Sequence, residues 1–243
     1  MISNKQFVIA VCISMVFSYL YGVITVQYKI PPFELLRAIM QFISPNPSPS
    51  SSPIPSHSDY FYERKSFFEE HGGHQYDIVF IGDSITDAAE WEDLFPSLKI
   101  ANRGISGDRT DGVLERLDSI YSTNARKAFI MIGINDFASG ARVNDVFENY
   151  KRIINGLVAH GMQTYVQSTI LAGNKHLELN NKIMALNEQL MRMADEDKAF
   201  TYIDLNAGLA RSSVLESQYT RDGIHLNGSG YAVWKHIIQG YIQ

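Results

Sequence analysis

Residues 78–87, IVFIGDSITD, run four apolar side chains directly into Gly-Asp-Ser. The apolar run reads as a buried strand, and Ser84 falls where that strand ends. Gly, Asp and Ser are also the ordinary residues of turns and helix caps, so the tripeptide alone does not separate a nucleophile from a turn. A nucleophilic serine needs a base of near-neutral pKa, an acid to orient that base, and donors for an oxyanion. Whether Ser84 is one depends on what the rest of the chain brings to the same edge.

Downstream, short apolar runs alternate with helical periodicity. Residues 77–82, 98–104, 127–133, 162–171 and 199–205 read as five strands. Between them, 111–121 places Val113, Leu117, Ile120 and Tyr121 on one helical face. Residues 143–161 align Phe147, Tyr150, Ile154, Leu157 and Val158, with Gly161 as a C-terminal cap. Residues 177–197 align Leu179, Ile183, Leu186, Leu190 and Met193, and 228–242 form a last helix. Strands alternating with helices predict an α/β fold with a parallel five-stranded sheet covered on both faces. Ligands of such sheets bind outside the carboxyl ends of the strands, where Ser84 lies.

The 243 residues, 45% hydrophobic and 19% charged, suffice for one sizeable core. A net charge of -5 and the absence of any Lys/Arg block argue against a nucleic-acid partner. Cys12 is the single cysteine, which excludes an intrachain disulfide and a Cys-ligated zinc. His71 and His74 of HGGH have no carboxylate or third histidine beside them in sequence and read as a polar loop, so no metal is expected.

The N-terminus differs in kind. Residues 7–28 contain no charge. As a helix they would cover roughly 33 Å, against a hydrocarbon core of about 30 Å. The stretch is too long for an ordinary signal peptide, and Cys12 lies too early for a lipoprotein acceptor, so it reads as an uncleaved single-pass anchor. Lys5 before it and Lys29 and Arg37 after it leave orientation nearly balanced. Seven of the eight prolines precede residue 56, and 44–58 is a Pro/Ser spacer. The organisation expected is an anchor, 1–28, a juxtamembrane segment and linker, 29–58, and a catalytic domain, 59–243. That domain would be extracytoplasmic, periplasmic in a bacterium.

Three further motifs lie downstream, two of them at strand ends. NRGISGD, 102–108, follows the second strand, with Gly104 and Gly107 freeing backbone N–H groups. GIND, 133–136, follows the third and places Asn135 at the same edge. RDGIHLNGSGY, 221–231, carries Asp222 and His225 in a loop before the last helix. Each has an ordinary use as a turn, a cap or a surface histidine. Together they are the parts that acyl transfer requires, placed at successive strand ends.

GDSIT, NRGISGD, GIND and DGIH resemble, in order, the four signature blocks of the SGNH (GDSL-type) hydrolases. The resemblance covers roughly residues 60–243. It implies a flavodoxin-like three-layer α/β/α sandwich and a serine hydrolase needing neither cofactor nor metal. Ser84 would be the nucleophile, His225 the general base and then acid, and Asp222 the residue orienting His225. The oxyanion would be held by the backbone N–H groups of Ser84 and Gly104 and by the Asn135 side chain. Asp83, Asp108 and Asp136 read as turn-fixing neighbours, and nothing places Asp87 behind His225.

The run NRGISGDRTDGVLERL is similar to platelet-activating-factor acetylhydrolase catalytic subunits and bacterial acetylesterases, which implies short acyl chains. The function expected is a membrane-tethered esterase acting on a small-molecule or glycan ester. A lysophospholipase acting on a lipid ester, a glycan O-acyltransferase and a non-catalytic binding module are the alternatives. Arg103 and Arg109 could receive an anionic group or form salt bridges, and Trp91 and Phe95 could line an acyl pocket or pack in the core. Oligomeric state is not legible.

Overall fold

The structure, a computed structural model, describes residues 57–242. The anchor expected at 7–28 and nearly all of the linker lie outside the described residues. Among the described residues no helix is long and apolar enough to cross a membrane.

Five parallel strands form the sheet: β1 (Ile78–Gly82), β2 (Ile100–Gly104), β3 (Lys127–Met131), β4 (Gln163–Gln167) and β5 (Phe200–Ile203). Their order is β2-β1-β3-β4-β5, every neighbouring pair parallel. This doubly wound order reverses between β1 and β3, and sheets of this kind bind ligands outside the carboxyl ends of the strands at such a switch point.

Successive strand residues point to opposite faces, and the core divides accordingly. Val79, Ile81, Ala128, Ile130 and Val166 face one apolar layer, and Ile78, Phe80, Phe129, Met131 and Tyr165 face the other. Burial on both faces is why these strands read as continuous apolar runs.

The helices that build the core and the sheet edge are α1 (Asp59–His71), α2 (Ser84–Asp87), α3 (Thr110–Glu115), α4 (Leu117–Tyr121), α5 (Ile134–Ala138), α6 (Val143–Ala159), α7 (Asn180–Glu196) and α8 (Gly228–Ile242). The stripes of α6 and α7 enter the first layer through Tyr150, Ile153, Leu157, Ile183, Leu186 and Leu190. Each of the fully buried Ile and Leu side chains among them contributes about 1.5–3 kcal/mol. On the other face α8 supplies Trp234, Ile238 and Ile242. Trp234 meets Trp91 edge-on at 5.2 Å, and Trp91 stacks on Phe80 at 3.6 Å. Trp91 and Phe95 are therefore core residues, 3% and 8% exposed.

Three elements depart from the sequence reading by more than two residues or by a break. The helix expected over 111–121 breaks at Arg116, whose φ of -115° and ψ of 19° leave the helical region. The strand expected over 162–171 ends at Gln167, after which Ser168 and Thr169 are buried in loop hydrogen bonds. The helix expected from 177 starts at Asn180, preceded by a 3₁₀ turn, Asn174–Leu179, with His176 out of helical conformation.

Helix α1 was not legible as a helix. Ser58 caps it, its hydroxyl accepting from the Phe61 N–H at 3.2 Å, and only Phe61 and Phe68 on it are buried. Those two rings pack with Ile105, in the second motif. Arg103 is buried over the Phe68 ring, 4.4 Å from its centroid, and Arg109 pairs with Asp111 at 3.1 Å. Arg109 thus makes the salt bridge expected as one alternative, and Arg103 instead packs on an aromatic ring.

Candidate active site

Local chemistry fixes Ser84 first. Strand β1 ends at Gly82, where a Cβ would lie 2.2 Å from Thr86 Oγ1 and 2.3 Å from the Met131 carbonyl oxygen. Only glycine lets the chain turn there. Asp83 then caps α2, its Oδ1 accepting from the Ile85 N–H at 3.0 Å. Ser84 is the first residue of that short helix, half-buried, so its N–H has no intrahelical acceptor.

The second part comes from the other end of the chain. Asp222 Oδ1 accepts from the N–H groups of Ile224 at 2.8 Å and His225 at 2.9 Å. Gly223 supplies the positive φ, 94°, that this tight turn needs. The turn aims the His225 ring so that Nδ1 lies 2.6 Å from Asp222 Oδ2 and Nε2 lies 2.8 Å from Ser84 Oγ. A proton on Nδ1 facing the carboxylate leaves the Nε2 lone pair toward the hydroxyl. Burial works to raise the Asp222 pKa. The His225 ring and the Ile224 and His225 amides outweigh it, and the carboxyl is held well below its usual range. Tyr231 of α8 closes the arrangement, its hydroxyl donating to the Ile85 carbonyl at 2.8 Å.

Gly104 ends β2 beside Ser84's helix: a Cβ there would lie 2.2 Å from the Asp87 backbone nitrogen. Its N–H donates to Asn102 Oδ1 at 2.9 Å, while Asn102 Nδ2 donates to the Asp87 carbonyl at 3.0 Å. Asn135, at the start of α5, donates from Nδ2 to the Asp108 carbonyl at 2.9 Å, one of the two hydrogens that nitrogen carries. Ser84, His225 and Asp222 thus form one hydrogen-bonded chain. Gly104 and Asn135 stand at the ends of the two strands that flank β1, on the same edge. Asp87 is not behind His225; it accepts from Tyr60 Oη at 2.9 Å and the Ser106 N–H at 3.2 Å.

Three buried carboxyls lie beneath this edge. Asp108 bonds Arg116, and Asp136 accepts from Thr110 Oγ1 at 2.6 Å and from its N–H. Burial pushes Asp83 up to about 7, helped by the charges of Asp108 and Asp136 and opposed by the Ile85 N–H. Burial likewise pushes Asp136 up to about 7, against the hydrogen bonds from Thr110. They fix turns, as expected, and the charges of Asp108 and Asp136 both act on Asp83. Arg116, Thr110, Tyr60 and Tyr231 are contributors that motif reading missed, since each lies outside the four short blocks or is silent within its run.

The sequence pattern of the family described as GDSL-like Lipase/Acylhydrolase matches residues 80–233. The chain is 28% identical over 164 residues to platelet-activating factor acetylhydrolase IB subunit alpha2 of Gallus gallus, covering 64% of this chain and 71% of that one. It is 23% identical over 147 residues to the N-acylneuraminate cytidylyltransferase of Streptococcus agalactiae serotype V, covering 60% of this chain. That match spans 34% of the streptococcal protein's length. Among solved structures, one from Streptococcus pneumonia described as a platelet activating factor superposes with a TM-score of 0.70 at 25% identity, covering 76% of this chain and 93% of that one. A protein from Bacteroides fragilis described as an acylhydrolase superposes with a TM-score of 0.65 at 23% identity, covering 76% of this chain and 98% of that one, and shares the fold. The chain belongs to the GDSL-like lipase/acylhydrolase family, a family of carboxylic ester hydrolases.

Proposed function

We propose that the protein is a membrane-tethered serine esterase that removes short, acetyl-type acyl groups through an acyl-Ser84 intermediate. The observation that carries this reading is the chain Ser84 Oγ–His225 Nε2 at 2.8 Å and His225 Nδ1–Asp222 Oδ2 at 2.6 Å. As Ser84 Oγ attacks the ester carbonyl, its proton passes to His225 Nε2, and ionised Asp222 stabilises the imidazolium. The carbonyl oxygen becomes an oxyanion bound by the N–H groups of Ser84 and Gly104 and by Asn135 Nδ2. For this the Gly104 N–H, which donates to Asn102 Oδ1 at 2.9 Å, exchanges that acceptor for the oxyanion. Collapse expels the alcohol, which takes the His225 proton. Water, deprotonated by the same ring, then attacks the acyl-enzyme, releases the acid and restores Ser84.

The acetylhydrolase name of the 28% identical relative supports a short acyl chain. The uncharged stretch 7–28 followed by a Pro/Ser spacer supports a tether with the domain outside the cytoplasm. The test is hydrolysis of p-nitrophenyl esters from acetate to palmitate by the full chain in detergent, beside Ser84→Ala. Turnover that peaks at acetate and vanishes in the variant is expected. A peak at long chains would replace the short-chain reading by a lysophospholipase, and acyl transfer to added sugar in preference to water would replace it by a transferase. Folded protein with neither turnover nor labelling by a fluorophosphonate would defeat the hydrolase reading.

A further inference from the structure

We propose that Arg116 is a positioning residue for the reaction, holding the Asn135 amide in register with Ser84; the inference rests on the esterase function proposed for this site. The starting point is the break between α3 and α4. Apolar periodicity predicts one helix over 111–121, yet the backbone leaves the helical region at Arg116, and the arginine is 1% exposed. A local rule broken at a buried charged residue calls for a compensating use.

The contacts supply that use. Arg116 Nε donates to Asp108 Oδ2 at 2.9 Å, and Nη2 lies 2.9 Å from the same oxygen. Nη2 also donates to the Gly82 carbonyl at 3.4 Å, two residues before Ser84. The main-chain carbonyl of Asp108 is the acceptor that aims Asn135 Nδ2, at 2.9 Å. One guanidinium therefore joins the strand end that delivers the nucleophile to the loop that orients an oxyanion donor. The Gly82 carbonyl also accepts from the Ile105 N–H at 3.1 Å, tying the same strand end to the second motif.

Stability alone does not account for the pair. Replacing a buried ion pair by well-packed apolar side chains is commonly neutral or stabilising, because desolvation offsets the attraction. A planar fork does what an apolar side chain cannot: it fixes two acceptors on different segments at set distances. The charge also matters locally. Asp83 from the start of α2, Asp108 from the loop and Asp136 from α5 all lie near, and the Arg116 charge opposes the upward push of burial on Asp108.

The test is a double-variant cycle on the full chain with p-nitrophenyl acetate, each preparation normalised to sites labelled by a fluorophosphonate. Arg116→Lys keeps the charge and loses the fork. The expected result is a fall in kcat per labelled site of about 10-fold or more with KM within about threefold. In an Asn135→Ala background the same change should cost less than about threefold, because its route of action is gone. Wild-type kcat per labelled site in Arg116→Lys, or an equal cost in both backgrounds, would overturn the proposal, since a purely structural ion pair lowers Tm and leaves each folded site unchanged. If Arg116→Lys does not fold, Asp108→Asn, which keeps the main-chain carbonyl, goes through the same cycle with the same two outcomes. A wild type that neither turns over nor labels would instead defeat the esterase reading itself.

Discussion

Asp222 grips His225 twice, its Oδ2 2.6 Å from the ring Nδ1 and its Oδ1 2.9 Å from the backbone nitrogen of the same residue. The carboxylate thus builds the turn and orients the ring at once. Asp222→Asn keeps a turn acceptor but presents an amide to Nδ1 and disfavours the productive tautomer. We expect kcat on p-nitrophenyl acetate to fall by about 10²- to 10⁴-fold with little change in KM. The depressed pKa means the favourable pairing is complete above the ordinary carboxylate range and is lost as pH falls through the lowered value, so activity loss below pH 6 should not be traceable to Asp222. A pH–rate profile of the wild type checks this.

Asp83 and Asp136 make the opposite prediction for stability. Both are pushed up to about 7, so between about pH 4 and pH 7 the folded state holds protons that the unfolded chain has released. Unfolding free energy from this source is present in full below about pH 4 and is lost as pH rises through 7, by on the order of a few kcal/mol. Asp83→Asn keeps an acceptor for the Ile85 N–H and cannot ionise. Thermal unfolding followed from pH 4.5 to 8 should show a shallower decline in the variant than in the wild type.

Gly104 has no room for a methyl group, because the Asp87 nitrogen and Cα stand 2.2 and 2.6 Å from where it would be. Those are backbone atoms of Ser84's own helix and do not rotate away. Gly104→Ala should cost about 1–3 kcal/mol and displace α2 from the sheet edge. Loss of Tm together with loss of kcat is the expected outcome, and a variant with both intact would show that the two segments are free to separate.

Tyr231 ties the last helix to α2 through the Ile85 carbonyl at 2.8 Å. Tyr231→Phe removes that bond without changing the ring. We expect about 0.5–1.5 kcal/mol of destabilisation. A several-fold drop in kcat should accompany it, because the loop bearing His225 leads directly into this helix. Differential scanning calorimetry and steady-state kinetics on one preparation check both.

How far the sequence could be read followed from how local each cause is. Strands β1 and β3 were legible because IVFI and AFIM are buried on both faces. Ser84, Asp222 and His225 were legible because the chemistry needs those residue types and each sits beside a turn glycine, Ser84 at a strand end and the other two in the loop before the last helix. Helix α1 was not, since Phe61 and Phe68, seven residues apart, make too sparse a stripe among Glu, Arg and Lys. The break at Arg116 was also hidden. Its cause is Asp108 eight positions earlier and Gly82 on another strand, and helical periodicity contains neither. The engagement of the Gly104 N–H by Asn102 depends on a side-chain rotamer and leaves no pattern in the letters NRG.

Ser84 and His225 meet in space but are 141 positions apart in the chain. At a synthesis rate of roughly 5–20 residues per second, the base leaves the ribosome roughly 7–30 seconds after the nucleophile. Until then Ser84 sits on a partly built sheet with no group to take its proton. A covalent serine probe applied to nascent chains would therefore react only with those long enough to have presented His225, which makes the active site a clock for how far synthesis has run.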